Sequence, residues 1–465
     1  MATAISATRY PQTSRKPTAG ASAPANAGKD LLSKWSPEVD RVLLGSATTR
    51  NAITYHLSAE ESRQALLEAI RSAKTSFHVE TFIWHDDEAG NEIVQALAAK
   101  KREAARAGRD FDAKVLIDSI GLRDGSNGAK DTEIVKKLEA QGIEVRIFNS
   151  RFVSLEALGV PITHRKLYIA DGEKFITGGR NIGNEYLRPS FVGKSGPEAS
   201  WHDLLYTVHG EEAARVEREF YQNWRMAGGS VPEGLPEAKP HATGQVRVKS
   251  IVTNPHADVY GIREAHLKAI GTAQREIVAI FPYFSDDQMV DALIAAKEKN
   301  AERRASLAAK ARTPQEREAF LKAVPELSIK VLLPGQQEAG SGGLLYPQLN
   351  METARQLLEA GVEVRLYEGS EIDGERVQRF SHFKGMAIDG KLLSLGSANA
   401  DARTYGANHE LNTLIADEKT VSEFYAKVVG PDWSAARPLT LDVLGQTPWY
   451  QQAWRKVLEA LDFLF

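Results

Sequence analysis

The sequence predicts an α/β fold made of two tandem α/β/α repeats, with mixed, largely parallel sheets and one shared site at a pseudo-two-fold interface. Three observations lead there. Apolar runs of strand length alternate with stretches of helical period, the pattern of a sheet covered by helices. The stretch THRKLYIADGEKFITGGRN, from Thr163 to Asn181, recurs as SHFKGMAIDGKLLSLGSAN, from Ser381 to Asn399. Two flanking segments keep the same order: Ala65 to Ile70 is echoed by Ala265 to Ile270 at an offset of 200, and Gly142 to Phe148 by Gly361 to Tyr367 at an offset of 219.

The first 35 residues are rich in Ala, Ser, Thr and Pro and read as a flexible tail. Repeat 1 is expected over 36–227, with a capping box at Ser58 to Glu61 opening a helix whose apolar face carries Leu66, Ala69, Ile70 and Ala73. A strand from Phe77 to Trp84, a helix from Ala89 to Ala107, a strand from Lys114 to Ile120, a helix from Thr132 to Ala140 and a strand from Ile143 to Phe148 follow. Ile162 to Ala170 reads as the strand of the first motif. The Pro- and Gly-rich run 228–245 reads as the linker, 246–432 as repeat 2, and 433–465 as a C-terminal extension. Between its anchors repeat 2 has gained 19 residues, placed in Lys297 to Glu326 as a solvated helical insertion.

Each motif copy spells His-x-Lys-x4-Asp-x6-Gly-(Gly/Ser)-x-Asn: His164, Lys166, Asp171, Gly178, Gly179 and Asn181, then His382, Lys384, Asp389, Gly396, Ser397 and Asn399. Residues two apart on a strand share a face, so each histidine stands beside its lysine. The Asp-Gly pairs 171–172 and 389–390 read as tight hairpin turns, which makes Asp171 and Asp389 structural supports of the motif. Imidazole attacks phosphorus, ammonium offsets oxyanion charge, and small residues let backbone donors approach; Gly179, Ser397, Asn181 and Asn399 are therefore assigned to phosphate contact. Two copies supply two proton roles, one histidine as nucleophile and the other as acid and then base.

On these motifs the chain resembles the phospholipase D superfamily, and within it the bacterial cardiolipin synthase-like branch, over Leu57 to Val429. The resemblance implies a phosphatidyltransferase acting on glycerophospholipids, joining two phosphatidylglycerols into cardiolipin with release of glycerol through a phosphohistidine. It assigns the covalent step to His164 and the acid/base step to His382. Acids at matching positions orient the motif histidines in that family, which assigns Asp203 to His164 and Glu410 to His382. Glu80 falls in a similar acidic segment, read either as lining the pocket or as an ordinary strand-end acid.

Composition narrows the alternatives. With 58 basic against 61 acidic residues there is no global basic field, which disfavours a nucleic-acid phosphodiesterase. A hydrolytic phospholipase D would use the same residues with water as acceptor, and a catalytically inactive binding or scaffold protein conflicts with two complete motifs. The absence of Cys removes disulfides and thiolate chemistry. His202 and His409 each precede an acid without forming a coherent ligand set, so no metal and no cofactor are expected. A Gly-rich loop, Gln336 to Tyr346, borders the crevice as a mobile loop or a phosphate cradle.

No run is long and apolar enough for a secretory signal or a membrane span. The resemblance implies a glycerophospholipid partner, and without a spanning run a membrane surface is expected to be met peripherally, at the inner face or from the cytoplasm; export without a cleaved signal is the alternative. Tyr450, Trp454, Val457, Leu458, Leu461 and Phe465 fall near one helical face, read as a docked helix or an interfacial anchor.

Overall fold

In a computed structural model the described residues are 37–123, 128–149, 160–188, 201–233, 243–335, 346–372 and 375–445. The first half contributes β1 (Thr48–His56), β2 (Ser76–Thr81), β3 (Asp112–Asp118), β4 (Glu144–Phe148), β5 (Leu167–Ala170), β6 (Lys174–Gly178) and β7 (Leu205–Gly210). The second contributes β8 (Val246–Asn254), β9 (Val259–Tyr260), β10 (Glu276–Ile280), β11 (Ser328–Pro334), β12 (Glu363–Tyr367), β13 (Gly369–Ile372), β14 (Glu375–Gln378), β15 (Gly385–Ile388), β16 (Leu392–Gly396), β17 (Glu410–Ala416) and β18 (Arg437–Pro438). Helices of the first half are α1 (Pro37–Leu44), α2 (Ala59–Ser72), α3 (Glu88–Arg106), α4 (Gly128–Ala140), α5 (Asn184–Leu187) and α6 (Ala213–Met226). Those of the second are α7 (Gly261–Thr272), α8 (Asp287–Lys310), α9 (Pro314–Ala323), α10 (Tyr346–Glu359), α11 (Ala402–Gly406), α12 (Glu418–Phe424), α13 (Gly430–Ala435) and α14 (Leu441–Gly445).

Among the described residues all strands except the β13–β14 ribbon join one 16-stranded sheet, ordered β18-β12-β11-β10-β15-β16-β17-β8-β1-β7-β6-β5-β2-β3-β4, with β9 beside β8. The order reads nearly the same from either end, as two copies of one unit require. The sheet is mixed, but parallel pairing is confined to β2-β3-β4 and β10-β11-β12. Elsewhere hairpins and the β1–β8 junction make neighbours antiparallel, so the sheet is less parallel than the sequence reading expected.

Local chemistry sets the element ends. Ser58 accepts from the Glu61 amide while the Glu61 carboxylate accepts from the Ser58 amide, the reciprocal cap that starts α2. Gly142 and Gly361, at φ 71° and 77°, follow α4 and α10 in the left-handed region that lets each chain turn into its next strand. Asp171 and Asp389 open their hairpins at φ 57° and 53°, followed by Gly172 and Gly390 at 63° and 67°.

One face of each half buries its own core: Leu66, Ile70, Phe77, Ile93 and Leu138 in the first, Ile270, Ile277, Leu293, Val331 and Leu357 in the second. The opposite face carries a single core drawn from both halves, including Phe175, Phe220, Trp224, Val278, Leu393 and Phe424. Tyr206 of β7 seals this joint by donating to Leu395 O of β16 at 2.8 Å. The 19 extra residues prolong α8 and form α9, where burial ends at Leu293 and no residue of α9 is buried. Residues after 433 are not all peripheral: β18 pairs with β12, and α14 packs on α10.

Candidate active site

The motif strands are shorter than the periodicity suggests. Sheet pairing begins only at Leu167 and Gly385, directly after the lysines. The preceding residues leave the sheet of their own half and pair with the other: Thr163 bridges His409, and Ser381 bridges His202. His164 N donates to His409 O at 3.0 Å and His409 N to Ile162 O at 2.7 Å; symmetrically, His202 N donates to Phe380 O at 2.8 Å and His382 N to His202 O at 2.9 Å.

These bridges reverse the expected acid assignment. Glu410 follows His409, so its carboxylate meets the first histidine, with Glu410 Oε1 2.9 Å from His164 Nδ1. Asp203 follows His202 and meets the second, with Asp203 Oδ2 2.8 Å from His382 Nδ1. Each half therefore supplies the acid that orients the other half's imidazole. Both acids are buried, and with Nδ1 held, Nε2 of each ring is left without a hydrogen-bond partner among the described residues.

Lys166 and Lys384 repeat one geometry, each donating from Nζ to the carbonyl of its own histidine at 2.7 Å. Between His164 and Lys166 on the chain, Arg165 points the other way, into a buried site where Nε reaches Glu410 O at 3.3 Å and Nη1 reaches Glu219 O at 3.2 Å. The alternation of extended backbone thus separates the reacting pair from a structural arginine. Phe82 stands edge-on to His164 at 5.3 Å and under Lys166 at 5.5 Å. Trp201, Phe380 and Tyr186 surround His382 at 4.8, 6.1 and 6.2 Å.

Burial sets the protonation. Desolvation lowers His164 to about 4, although Glu410 pulls upward, and lowers His382 to about 3, where Lys384 adds to the shift. Lys166 and Lys384 both act on each histidine, so the two motifs occupy one electrostatic site. Burial likewise holds Lys166 well below the usual lysine range. Asp203 stays below the ordinary carboxylate range: burial pushes it up, but the His382 hydrogen bond and nearby cations outweigh that.

The motif spacing assigns four residues to phosphate contact. Gly179 and Ser397 do something else: their amides donate to Leu204 O and Leu411 O, at 3.2 and 3.0 Å, within the sheet. A Cβ on Gly179 would lie 2.2 Å from Asp203 Oδ2, so this glycine clears the space for an orienting acid. Ser397 Oγ donates to Glu410 Oε2 at 2.5 Å, so the serine holds the other acid directly. Asn181 and Asn399 remain candidates. Asn181 Oδ1 accepts from Ile83 N at 3.2 Å, which orients its amide, and Asn399 is buried with Oδ1 unpartnered among the described residues.

Asp171 and Asp389 lie at the far ends of their hairpins. The Asp171 carboxylate accepts from the amides of Lys74, Thr75 and Ser76 at 2.7 to 3.0 Å, and Asp389 repeats this with Gln274, Arg275 and Glu276. Each thereby fastens its motif hairpin to the start of β2 or β10.

Glu80 is fully buried behind the motif strand, where it accepts from Thr163 Oγ1 and Asn223 Nδ2 at 2.5 and 2.6 Å. His202 pairs with Asp432 at 2.8 Å, and His409 with His256 at 2.7 Å, so their side chains belong to separate structural contacts. The Gly-rich loop between 336 and 345 and the apolar face at 450–465 lie outside the described residues.

Sequence reasoning missed Asp118, Thr163, Arg165, Arg180 and Trp201. Arg165 and Arg180 carried a signal, since charged residues inside apolar strands must find partners when buried. Arg180 finds four carbonyls: Tyr186, Trp201, Leu57 and Asp203.

A family model described as cardiolipin synthase, PLD-like (phospholipase D-like) domain, matches residues 66–224 and 266–429. The chain is 28% identical over 392 residues to a cardiolipin synthase of Clostridium perfringens strain SM101, covering 82% of this chain and 71% of that protein. It is 25% identical over 383 residues to a cardiolipin synthase of Listeria welshimeri, covering 81% and 68%. Among solved structures, the phosphatidylserine synthase of Haemophilus influenzae superposes with a TM-score of 0.62 at 17% identity over 92% of this chain and 99% of that one, a likeness of fold.

Proposed function

Because the chain belongs to the phospholipase D-like family, we propose that it is a phosphatidyltransferase that moves a phosphatidyl group between glycerophospholipid alcohols through a phosphohistidine, as a cardiolipin synthase does. The observation that carries this reading is the crossed pair of histidines, each with Nδ1 on a buried acid and Nε2 unpartnered among the described residues, sharing one site with two lysines.

Nε2 of His164 attacks phosphorus, and the bond from phosphorus to the departing alcohol oxygen breaks as His382 protonates that oxygen. The second alcohol then gives its proton to His382 as its oxygen attacks phosphorus and the P–N bond breaks. Glu410 and Asp203 stabilise the rings while they carry positive charge, and the lysines offset charge on the non-bridging oxygens. Burial keeps both rings neutral near pH 7, which suits the nucleophile. The anionic diester offsets the lysine charges and thereby raises the affinity of His382 for the proton that it must donate.

Phosphatidylglycerol vesicles should yield cardiolipin and glycerol, read by lipid mass spectrometry. If they yield phosphatidic acid alone, water is the acceptor and the protein is a hydrolase using the same residues. Peripheral membrane contact is part of this proposal: among the described residues no helix is long and apolar enough to cross a membrane, so a lipid acceptor would be met at the bilayer surface.

A further inference from the structure

The two halves of the site are alike in His, Lys, Asn and orienting acid, yet unlike in what grips the residue before each histidine. Thr163 is held twice by buried carboxylates. Its amide donates to Asp118 Oδ2 at 2.8 Å, and its hydroxyl donates to Glu80 Oε1 at 2.5 Å. Both acids are themselves fixed: Asp118 Oδ1 accepts from Ile120 N at 2.8 Å, Glu80 Oε1 accepts from Asn223 Nδ2 at 2.6 Å, and Arg165 Nη1 lies 3.9 Å from Glu80 Oε2.

Strand register identifies their counterparts. Glu80 lies opposite Leu167, the residue after Lys166; Ile280 lies opposite Gly385, the residue after Lys384. Asp118 lies opposite Phe148, and Pro334 opposite Tyr367, at the repeat anchors already matched in sequence. The second half thus replaces two buried acids with Ile280 and Pro334. Two carboxylates with zero exposure are an expensive way to hold one threonine, since burial disfavours the charged form of both and pushes Asp118 up to about 7. Stability alone does not account for them when the second half manages without.

We infer that Asp118 and Glu80 are positioning residues which fix His164 through Thr163 and make it, rather than His382, the covalent nucleophile of an otherwise pseudo-two-fold site. This inference rests on the phosphohistidine mechanism proposed above. Covalent attack requires a near-attack geometry at the nitrogen that meets phosphorus, whereas proton transfer at the other ring tolerates more motion. Asp118 also acts on Lys166, so the same acid that steadies the nucleophile influences the cation beside it.

The test separates formation of the histidine adduct from its breakdown, using an aryl phosphodiester whose leaving group is seen in a pre-steady-state burst. Asp118→Asn, Glu80→Gln and Thr163→Val should each slow adduct formation about 10- to 100-fold, with KM nearly unchanged and adduct breakdown altered less than about twofold. Thr163→Ser, which keeps the hydroxyl, should form the adduct at the wild-type rate. If Asp118→Asn or Glu80→Gln fails to fold, the Thr163 pair still decides. Equal slowing of both steps, or wild-type bursts in Thr163→Val, overturns the positioning role. A wild-type protein that forms no adduct on any histidine sinks the phosphohistidine mechanism itself, and the inference with it.

Discussion

At the scale of single residues the crossed pairing makes a specific demand on kinetics. Glu410 serves the ring that forms the bond to phosphorus, and Asp203 serves the ring that moves the proton. With an aryl phosphodiester, whose leaving group needs no proton, Glu410→Gln should slow adduct formation about 10²-fold or more, while Asp203→Asn and His382→Ala leave the first burst largely intact. Intact-protein mass spectrometry of His382→Ala should then find the adduct on His164. The opposite sensitivity of the two acid variants would show that each acid serves the histidine of its own half.

A second demand concerns pH. An unfolded histidine titrates near 6.5, whereas burial holds His164 near 4 and His382 near 3. Between about pH 6.5 and 4 the unfolded chain takes up protons that the fold refuses, so these groups leave stability untouched above pH 6.5 and reduce it as pH falls below. Burst rates should accordingly show no inflection near 6.5. An inflection there would mean that His164 is solvated in the working enzyme.

The elements show how the motif's repeated spacing divides into chemistry and scaffold. His and Lys sit where the strand leaves the sheet, while Asp171 and Asp389 sit four residues beyond β5 and β15 begin, tying the hairpin turns to β2 and β10. Burial pushes the Asp171 carboxyl up, but amides of Thr75, Ser76 and Lys74 hold it below its usual value. Its contribution is therefore present above the unfolded pKa and is lost as pH falls through the lower folded value. Asp171→Asn should cost about 1 to 3 kcal/mol in denaturant titrations and change the burst rate little. Large loss of burst rate with full stability would place Asp171 in the reaction.

Gly179 behaves differently: Gly179→Ala should mimic Asp203→Asn, because its methyl group would occupy the position of the Asp203 carboxylate. The α8 and α9 hairpin is a third case. Its outer part buries nothing, so replacing 301–322 by a short Gly-Ser turn should move Tm by less than about 3 °C.

The whole molecule is one body in spite of its internal repeat. The sheet runs unbroken through β8 and β1, the apolar layer on one face mixes residues of both halves, and the reacting groups are held across the joint. Calorimetry should record one cooperative transition. Two transitions, one per half, would mean that the shared layer does not couple them. The same architecture explains why a duplicated unit holds one site: neither half contains both a histidine and the acid that orients it.

By itself the sequence determined the duplication, the alternation of strands and helices, the hairpin turns at Asp171 and Asp389, the capping box at Ser58, the solvated insertion and the identity of the His and Lys pairs. These are local: periodicity, turn stereochemistry and residue type act within a few positions, and repetition makes a motif legible without any knowledge of contacts. Only the tertiary structure decided that Glu410 serves His164 and Asp203 serves His382, because that choice depends on bridges between segments more than 170 residues apart for one pair and more than 240 for the other. It also decided that Gly179 and Ser397 support acids, and that Thr163 rests on Asp118 and Glu80. Burial and partnership between distant strands are set by how the two halves of the sheet join at β1 and β8, and a chain read one position at a time holds no record of which edge meets which.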